Sequence, residues 1–227
     1  MYSINSRYPK LILLAGLLFS RLLFADSAAD FSQANQLLFF KNHLQTIQSP
    51  TTLRYRFEKK GSSEEGFTDE IQVQIQELHE NGEKKVAMKY FTGDREHYVP
   101  TIDGVTGNPL ITLFLQRDVL EMSRLTGGSW RHFQKQMKLA LENSAQISTV
   151  TIESNGKKLP ARNILIQPYQ GDDLLQSHKE FLDKYYLITL ADEVPGEIYR
   201  IIASTPSASS SDTPLIEESV TFSETGS

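Results

Sequence analysis

The clearest pattern in this 227-residue chain lies at residues 71–90, which read IQVQIQELHENGEKKVAMKY. Apolar and polar residues alternate from Ile71 to Gln76 and again from Lys85 to Tyr90, and a period of two is typical of a strand with one buried face. Asn81-Gly82 separates the two runs, and this pair is favoured in tight turns because both residues tolerate a positive φ. The stretch therefore predicts an antiparallel hairpin.

Similar runs and turns recur along the chain. Asn155-Gly156 and the turn at residues 193–196 each join two apolar runs, so each predicts a further hairpin. A final apolar run at residues 215–222 predicts a last strand, with a disordered tail as the alternative. The other predicted strands lie at residues 53–57, 150–152, 163–166, 185–190 and 198–202. Hairpin connections make the sheet antiparallel.

Two regions instead carry a helical period. Apolar residues recur at three- and four-residue steps over residues 31–47, which predicts an amphipathic helix that ends before Ser49-Pro50. The apolar residues of that helix face are Phe31, Ala34, Leu37, Phe40, Leu44 and Ile47.

The second helical region, residues 108–145, contains start and stop signals for two helices. Asn108 can cap the first helix with Pro109 at its first position, Gly127-Gly128 ends it, and Ser129 can cap the second. Two helices therefore interrupt the run of strands.

These elements predict an α+β fold: a curved antiparallel half-barrel sheet with an N-terminal amphipathic helix and a two-helix insertion. The chain is long enough to bury a core as one domain without disulfides. The predicted organisation is a signal peptide at residues 1–25, a single α+β domain at 26–204, a flexible Ser/Thr/Pro-rich linker at 205–214, and an edge strand with a tail at 215–227.

The first 25 residues have the layout of a secretory signal. Arg7 and Lys10 precede an apolar run that ends at Ala25, where cleavage is expected, with Ala28 and Ala29 as later sites. An uncleaved membrane anchor and a cytoplasmic apolar arm are the alternatives, but Arg21 leaves an uncharged run too short to span a bilayer. The chain has no Cys, which excludes a lipid-modified cysteine and disulfides. The expected location is the periplasm.

This order of elements is similar in layout to the LolA-like periplasmic carrier fold, although no specific motif carries the resemblance. The resemblance implies an incomplete barrel with a helical lid over an apolar cavity for acyl chains or other lipids, and it assigns no residue a role. The chain also resembles an uncharacterised class of exported bacterial proteins, which implies export and fold only. The stretches that carry this second resemblance are 54–57, 66–69, 125–130 and 192–196.

The sequence contains no pattern specific for catalysis, a cofactor or a metal. Ser129 lacks the following glycine of a nucleophile elbow and is better explained as a helix cap. The five histidines are scattered, and Asp94, Glu96 and His97 are interpreted as a solvated loop rather than a metal site. The acids at 64–65 and 69–70 are interpreted as surface residues. A net charge of −5 disfavours nucleic acid as a partner.

The helix predicted from Pro109 has apolar residues on nearly all sides, so it must be covered by the sheet, by its sister helix or by an apolar ligand. The candidate residues for lining a ligand cavity, which are equally candidates for plain core, are Tyr55, Phe57, Met88, Tyr90, Phe114, Trp130 and Phe133.

The favoured interpretation is a periplasmic carrier or chaperone without catalytic activity or cofactor, which binds a lipid or another apolar small molecule. The alternative is a non-catalytic interaction or assembly partner with a closed core, which would use its acidic surface and exposed last strand to dock a membrane-associated protein. An enzyme is a third interpretation.

Overall fold

The computed structural model describes residues 31–207 and 213–226. The predicted signal peptide at residues 1–25 and the middle of the predicted linker, residues 208–212, lie outside the described residues. Within the described part of the chain, no helix combines the length and the apolar character needed to cross a membrane.

The described residues form one large antiparallel sheet with helices packed against it, so the predicted α+β class is confirmed. The helices are α1 (Gln33–Asn35), α2 (Pro109–Thr126) and α3 (Trp130–Asn143). The strands are β1 (Thr51–Lys60), β2 (Phe67–Leu78), β3 (Lys84–Tyr90), β4 (His97–Tyr98), β5 (Ile102–Val105), β6 (Gln146–Ser154), β7 (Lys157–Ile166), β8 (Tyr185–Leu190), β9 (Ile198–Thr205) and β10 (Ile216–Gly226).

The sheet is curved and unclosed, as predicted. Its strand order is β4-β3-β2-β1-β10-β9-β8-β7-β6, and β5 also pairs with β3. In the register, Tyr55 of β1 pairs with Ile71 of β2 on one side and with Phe222 of β10 on the other. Inward-facing residues of the strands share the main apolar core with α2 and α3, and a smaller cluster lies around Leu159, Ala161, Ala191 and Val194.

The three predicted hairpins are present as β2–β3, β6–β7 and β8–β9. Asn155 and Gly156 both have a positive φ, of 51° and 71°, as the two-residue turn requires. At the first hairpin only Gly82 has a positive φ, of 83°. That loop is longer than the sequence suggests, and a hydrogen bond from the His79 N–H to the Glu83 carbonyl, 2.9 Å, closes it.

The predicted amphipathic helix over residues 31–47 is wrong in length. Three residues of α1 continue into one π-helical turn, Gln36–Phe40, and the backbone is extended at Lys41. In an α-helix the Lys41 N–H would donate to the Leu37 carbonyl. Here it donates to the Gln36 carbonyl, 3.0 Å, because the His43 ring binds the Leu37 carbonyl instead, at 2.7 Å. A side-chain contact between residues six positions apart thus accompanies the early end of the helix.

The two-helix insertion is confirmed at the predicted positions. The Asn108 side chain accepts from the Leu110 N–H at 3.2 Å, Pro109 occupies the first turn, and Gly127 ends α2 with a φ of 69°. Ser129 occupies the cap position of α3, but its side chain makes no capping hydrogen bond. Asn108 is therefore a true cap, whereas Ser129 is a cap in position only.

The predicted last strand exists as β10, but its predicted edge position is wrong. β10 lies between β1 and β9, and the outer strands of the described sheet are β6 at one end and β4 with β5 at the other. The predicted linker also begins too early, because Thr205 is a buried residue of β9. The Thr205 carbonyl accepts from the Leu215 N–H at 2.9 Å, which aligns β9 and β10 as neighbours.

Candidate functional site

The seven residues predicted to line a cavity lie mostly in the filled core. Met88 and Phe133 are buried there with four others, and Trp130 is half-buried against the same core. Of the seven, only Met88 also lines a groove. The four others are Tyr55, Phe57, Tyr90 and Phe114.

The aromatic end of the core is packed around a cation. The rings of Phe57 and Phe91 meet edge to face at 4.6 Å between centroids, and the Arg117 guanidinium lies 5.5 Å from each ring. Both terminal nitrogens of Arg117 donate to the Glu218 carboxylate of β10. These aromatic rings and the Arg117–Glu218 ion pair therefore fill the space in which an acyl chain was expected.

An open groove of about 320 Å³ lies instead outside this core. It is bounded by the π turn after α1, by β3 and β5, and by the start of α2. Eight of its twelve lining residues are apolar, and none of the twelve is charged. The lining residues are Leu38, Phe39, Met88, Val99, Ile102, Val105, Gly107, Asn108, Pro109, Thr112, Leu113 and Gln116. Such a lining suits an uncharged apolar ligand.

Large apolar side chains are exposed at and beside this groove. Phe39 and Ile102 line it and are 37% and 40% exposed. Phe40 is exposed next to Phe39 and its ring stacks on Phe31 at 4.6 Å, while Tyr98 is exposed next to Val99. These residues are not among the seven predicted lining residues, which were expected inside the curved sheet. The signal for Phe39 was its position outside the predicted helix face that contains Phe40.

One side of the groove is the segment 36–44, here called the wall. At one end Ser32 and Asn35 tie the chain before it to α3, with the Ser32 hydroxyl donating to the Leu141 carbonyl at 2.8 Å. At the other end Lys41 pairs with Glu197 at 2.5 Å and with Asp192 at 2.7 Å. The wall is thus held to α3 and to the β8–β9 connection.

His43 attaches the wall to the start of α2. Its ring is completely buried, its Nε2 lies 2.7 Å from the Leu37 carbonyl, and its Nδ1 accepts from the Asn108 N–H at 3.1 Å. Burial lowers the pKa of His43 below its ordinary value, so the ring is neutral at neutral pH. The Asn108 amide in turn donates to the Tyr55 hydroxyl and the Gly196 carbonyl, both at 3.0 Å.

A second buried polar group lies on α2, away from the groove. The Asp118 carboxylate accepts from the Lys184 ammonium at 2.8 Å and from the Tyr186 hydroxyl, and all three residues are buried. Burial and the neighbouring Asp118 charge raise the pKa of Tyr186 well above its ordinary value. The Asp118 carboxylate is thus paired with a buried cation inside the core, which is a structural role. Apolar residues on nearly all sides of α2 were the signal that Asp118 would be buried.

The other polar candidates of the sequence lie apart from the groove. Asp94, Glu96 and His97 are exposed on a 3₁₀ turn and on β4. Glu64 pairs with Lys59 at 2.5 Å, which holds the pKa of Glu64 below its ordinary value. Within residues 31–207 and 213–226, no group of three or more His, Asp or Glu could hold a metal ion.

Comparison with known proteins gives few matches. No family model and no curated protein matches the sequence. Among solved structures, the Mycobacterium tuberculosis lipoprotein LppX is 10% identical with a TM-score of 0.33, over 86% of this chain and 97% of that one. A LolA superfamily protein from Nitrosomonas europaea is 10% identical with a TM-score of 0.21, over 85% of this chain and 92% of that one. At these scores neither likeness carries an argument about function.

Proposed function

We propose that this chain is a non-catalytic carrier that binds a lipid or another apolar small molecule in the groove beside the wall. The observation that supports this proposal is the uncharged lining of a groove of about 320 Å³. That volume lies at the lower end of the range for small-molecule sites, so it suits one apolar chain rather than a whole multi-chain lipid. An apolar chain would lose no hydrogen bond with water on entering, and each buried CH₂ contributes about 0.8 kcal/mol.

A neutral apolar probe, N-phenyl-1-naphthylamine, tests this site by its fluorescence. Leu113→Gln places an amide in the groove and should weaken probe binding at least about tenfold, because the amide would lose water without gaining a partner. Leu139→Gln on α3 is the matched control, since Leu139 is 44% exposed and does not line the groove. Equal probe affinity in the two variants would contradict the proposed site.

We also propose that the protein works in the periplasm after removal of residues 1–25. The support is the basic, apolar and small-residue order of that segment, which a secretory signal requires. Intact mass measurement of the protein recovered from the periplasm of an exporting bacterium should show a chain that begins at Asp26. A chain that retains residues 1–25 would favour the anchored alternative.

A non-catalytic interaction partner is a second candidate function, favoured by the filled core around Arg117 and Glu218. β10 cannot dock the partner through a free edge, because β1 and β9 pair with it on both sides. In the described sheet, the outer strands available for edge pairing are β6 at one end and β4 with β5 at the other. Solvent extracts of the purified protein that contain no lipid, together with no probe binding, would favour this candidate over the carrier.

A further inference from the structure

The His43 ring has no contact with bulk water and uses both of its nitrogens. The Asn108 N–H donates to Nδ1, so Nδ1 holds a lone pair and no proton. The proton of the neutral ring is therefore on Nε2, which donates it to the Leu37 carbonyl. A second proton on Nδ1 would face the Asn108 N–H, and the hydrogen bond between them would be lost.

These two hydrogen bonds join opposite sides of the groove. Leu37 directly precedes Leu38 and Phe39, the two wall residues that line the groove. Asn108 lines the groove from the other side and caps α2. The His43 imidazole is thus the bridge between the wall and α2, and Leu44 adds a backbone bond to the Thr106 carbonyl at 3.2 Å.

The charged groups around the His43 ring act on its protonation in opposite directions. Glu197, between β8 and β9, favours the charged ring, but its carboxylate already pairs with Lys41 at 2.5 Å. Lys41 on the wall and Arg162 on β7 disfavour the charged ring, and Asp192 pairs with both of these cations. A buried imidazolium would therefore lose its hydration, and its two nitrogens would face the Leu37 carbonyl and the Asn108 N–H rather than a carboxylate.

We propose that His43 is a positioning residue that latches the wall to α2, and that protonation of its ring releases the wall and weakens retention of the apolar ligand. This inference rests on the proposed function, since it assumes that the groove is the ligand site. The physical reason is that protonation removes the acceptor for the Asn108 N–H and places a charge where the ring has no water around it.

The main test measures the affinity of the mature chain for N-phenyl-1-naphthylamine between about pH 8 and about pH 5, the range in which histidine titrates. The wild-type protein should bind the probe at least about tenfold more weakly at the acid end. His43→Asn keeps an acceptor for the Asn108 N–H but does not titrate, so its affinity should change less than about twofold over that range. His97→Asn, at an exposed histidine that does not line the groove, should retain the wild-type fall.

A second measurement keeps the test independent of how well His43→Asn folds. In wild-type protein labelled with ¹⁵N-histidine, the Nδ1 resonance of His43 should report an unprotonated nitrogen at neutral pH and should change at the pH where probe affinity falls. The protection factors of the Leu38 and Phe39 amides, corrected for the intrinsic pH dependence of exchange, should fall over the same range.

The outcomes separate the latch from the groove. The same fall in affinity in His43→Asn as in the wild type, or its loss in His97→Asn alone, would overturn the latch and leave the groove as the ligand site. Absence of probe binding at every pH would overturn the proposed function. In that case the NMR titration still decides whether protonation of His43 frees the wall, and unchanged protection factors at Leu38 and Phe39 would overturn the latch.

Discussion

Gly196 shows how closely the parts of this fold approach one another at the scale of one residue. It has a φ of 73°, and its carbonyl accepts from the Asn108 amide. A Cβ added there would lie 2.5 Å from Cδ1 of Leu53 and 2.9 Å from the Asn108 amide nitrogen. Glycine is thus needed both for its backbone conformation and for the space it leaves between β1 and the start of α2.

Replacing Gly196 by Ala should lower the free energy of unfolding by about 2–4 kcal/mol, from overpacking together with the cost of a positive φ. Gly156→Ala is the matched control, because Gly156 has a φ of 71° but no atom within 4 Å of the added Cβ. It should cost only about 1 kcal/mol. Urea denaturation of both variants measures the difference, and equal costs would show that the close approach at Gly196 is unimportant.

The buried pair of Asp118 and Lys184 should be far more sensitive to losing one partner than to losing both. Asp118→Leu leaves the Lys184 ammonium buried and unpaired, and we expect a loss of about 3–5 kcal/mol in the free energy of unfolding. Asp118→Leu combined with Lys184→Met removes both charges and should recover most of that loss. Denaturation of the single and double variants checks this, and a double variant as unstable as the single one would be inconsistent with it.

His43 should also make the stability of the protein depend on pH. Its pKa is lowered by burial, so the unfolded chain binds a proton near the ordinary histidine value before the folded chain does. The stability that this ring contributes is therefore complete above about pH 6.5 and is lost as the pH falls below it. The wild-type protein should lose more stability than His43→Asn between about pH 7.5 and pH 5.5 in urea denaturation. Parallel losses would argue against a neutral buried ring.

At the scale of elements, the two helices of the insertion begin in different ways. Asn108 accepts from the Leu110 N–H and its amide makes two further hydrogen bonds, to Tyr55 and Gly196. Ser129 stands at the equivalent place before α3, is exposed, and makes no side-chain capping bond. The start of α2 is therefore part of the core, whereas the start of α3 lies at the surface.

Asn108→Ala should accordingly cost about 2–4 kcal/mol, since it removes a helix cap and leaves the buried Tyr55 hydroxyl and Gly196 carbonyl without this donor. Ser129→Ala should cost less than about 0.5 kcal/mol, because no capping bond is lost. Thermal unfolding of the two variants compares them directly. A Ser129→Ala variant as unstable as Asn108→Ala would mean that Ser129 caps α3 in solution.

At the scale of the whole molecule, β10 joins the two halves of the sheet. β1 to β5 lie on one side of it and β6 to β9 on the other. Glu218 of β10 also binds Arg117 of α2, which connects the strand to the helical insertion. The last strand in the sequence is therefore central in space, and the residues that follow the Ser-rich segment belong to the domain.

Ending the chain at Pro206 should abolish cooperative unfolding, because β1 and β9 would each lose a neighbouring strand and Arg117 would lose its buried partner. Circular dichroism during heating should show no sharp transition. A synthetic peptide of residues 213–227, added in trans, should restore at least part of the transition. A truncated chain that melts cooperatively near the full-length temperature would place β10 outside the folding unit.

Local patterns in the sequence were sufficient for the hairpins, for the cap and end of α2 and for the α+β class. Each depends on residues close in the chain: alternation with period two, Asn155-Gly156 with positive φ, or Asn108 beside Leu110. These parts of the fold are determined by neighbours in sequence, so they could be predicted without knowledge of tertiary contacts.

The candidate site could not be predicted in this way, because it depends on side-chain contacts that the apolar periodicity of the sequence does not show. Only Met88 of the seven proposed lining residues reached the groove, since Arg117 and Glu218 fill the space beside the core aromatics. The helix expected to reach residue 47 ends at Phe40 because the His43 ring takes the Leu37 carbonyl. Strand alternation predicts which face is buried but not which strands pair, and so only the tertiary structure could place β10 at the centre of the sheet.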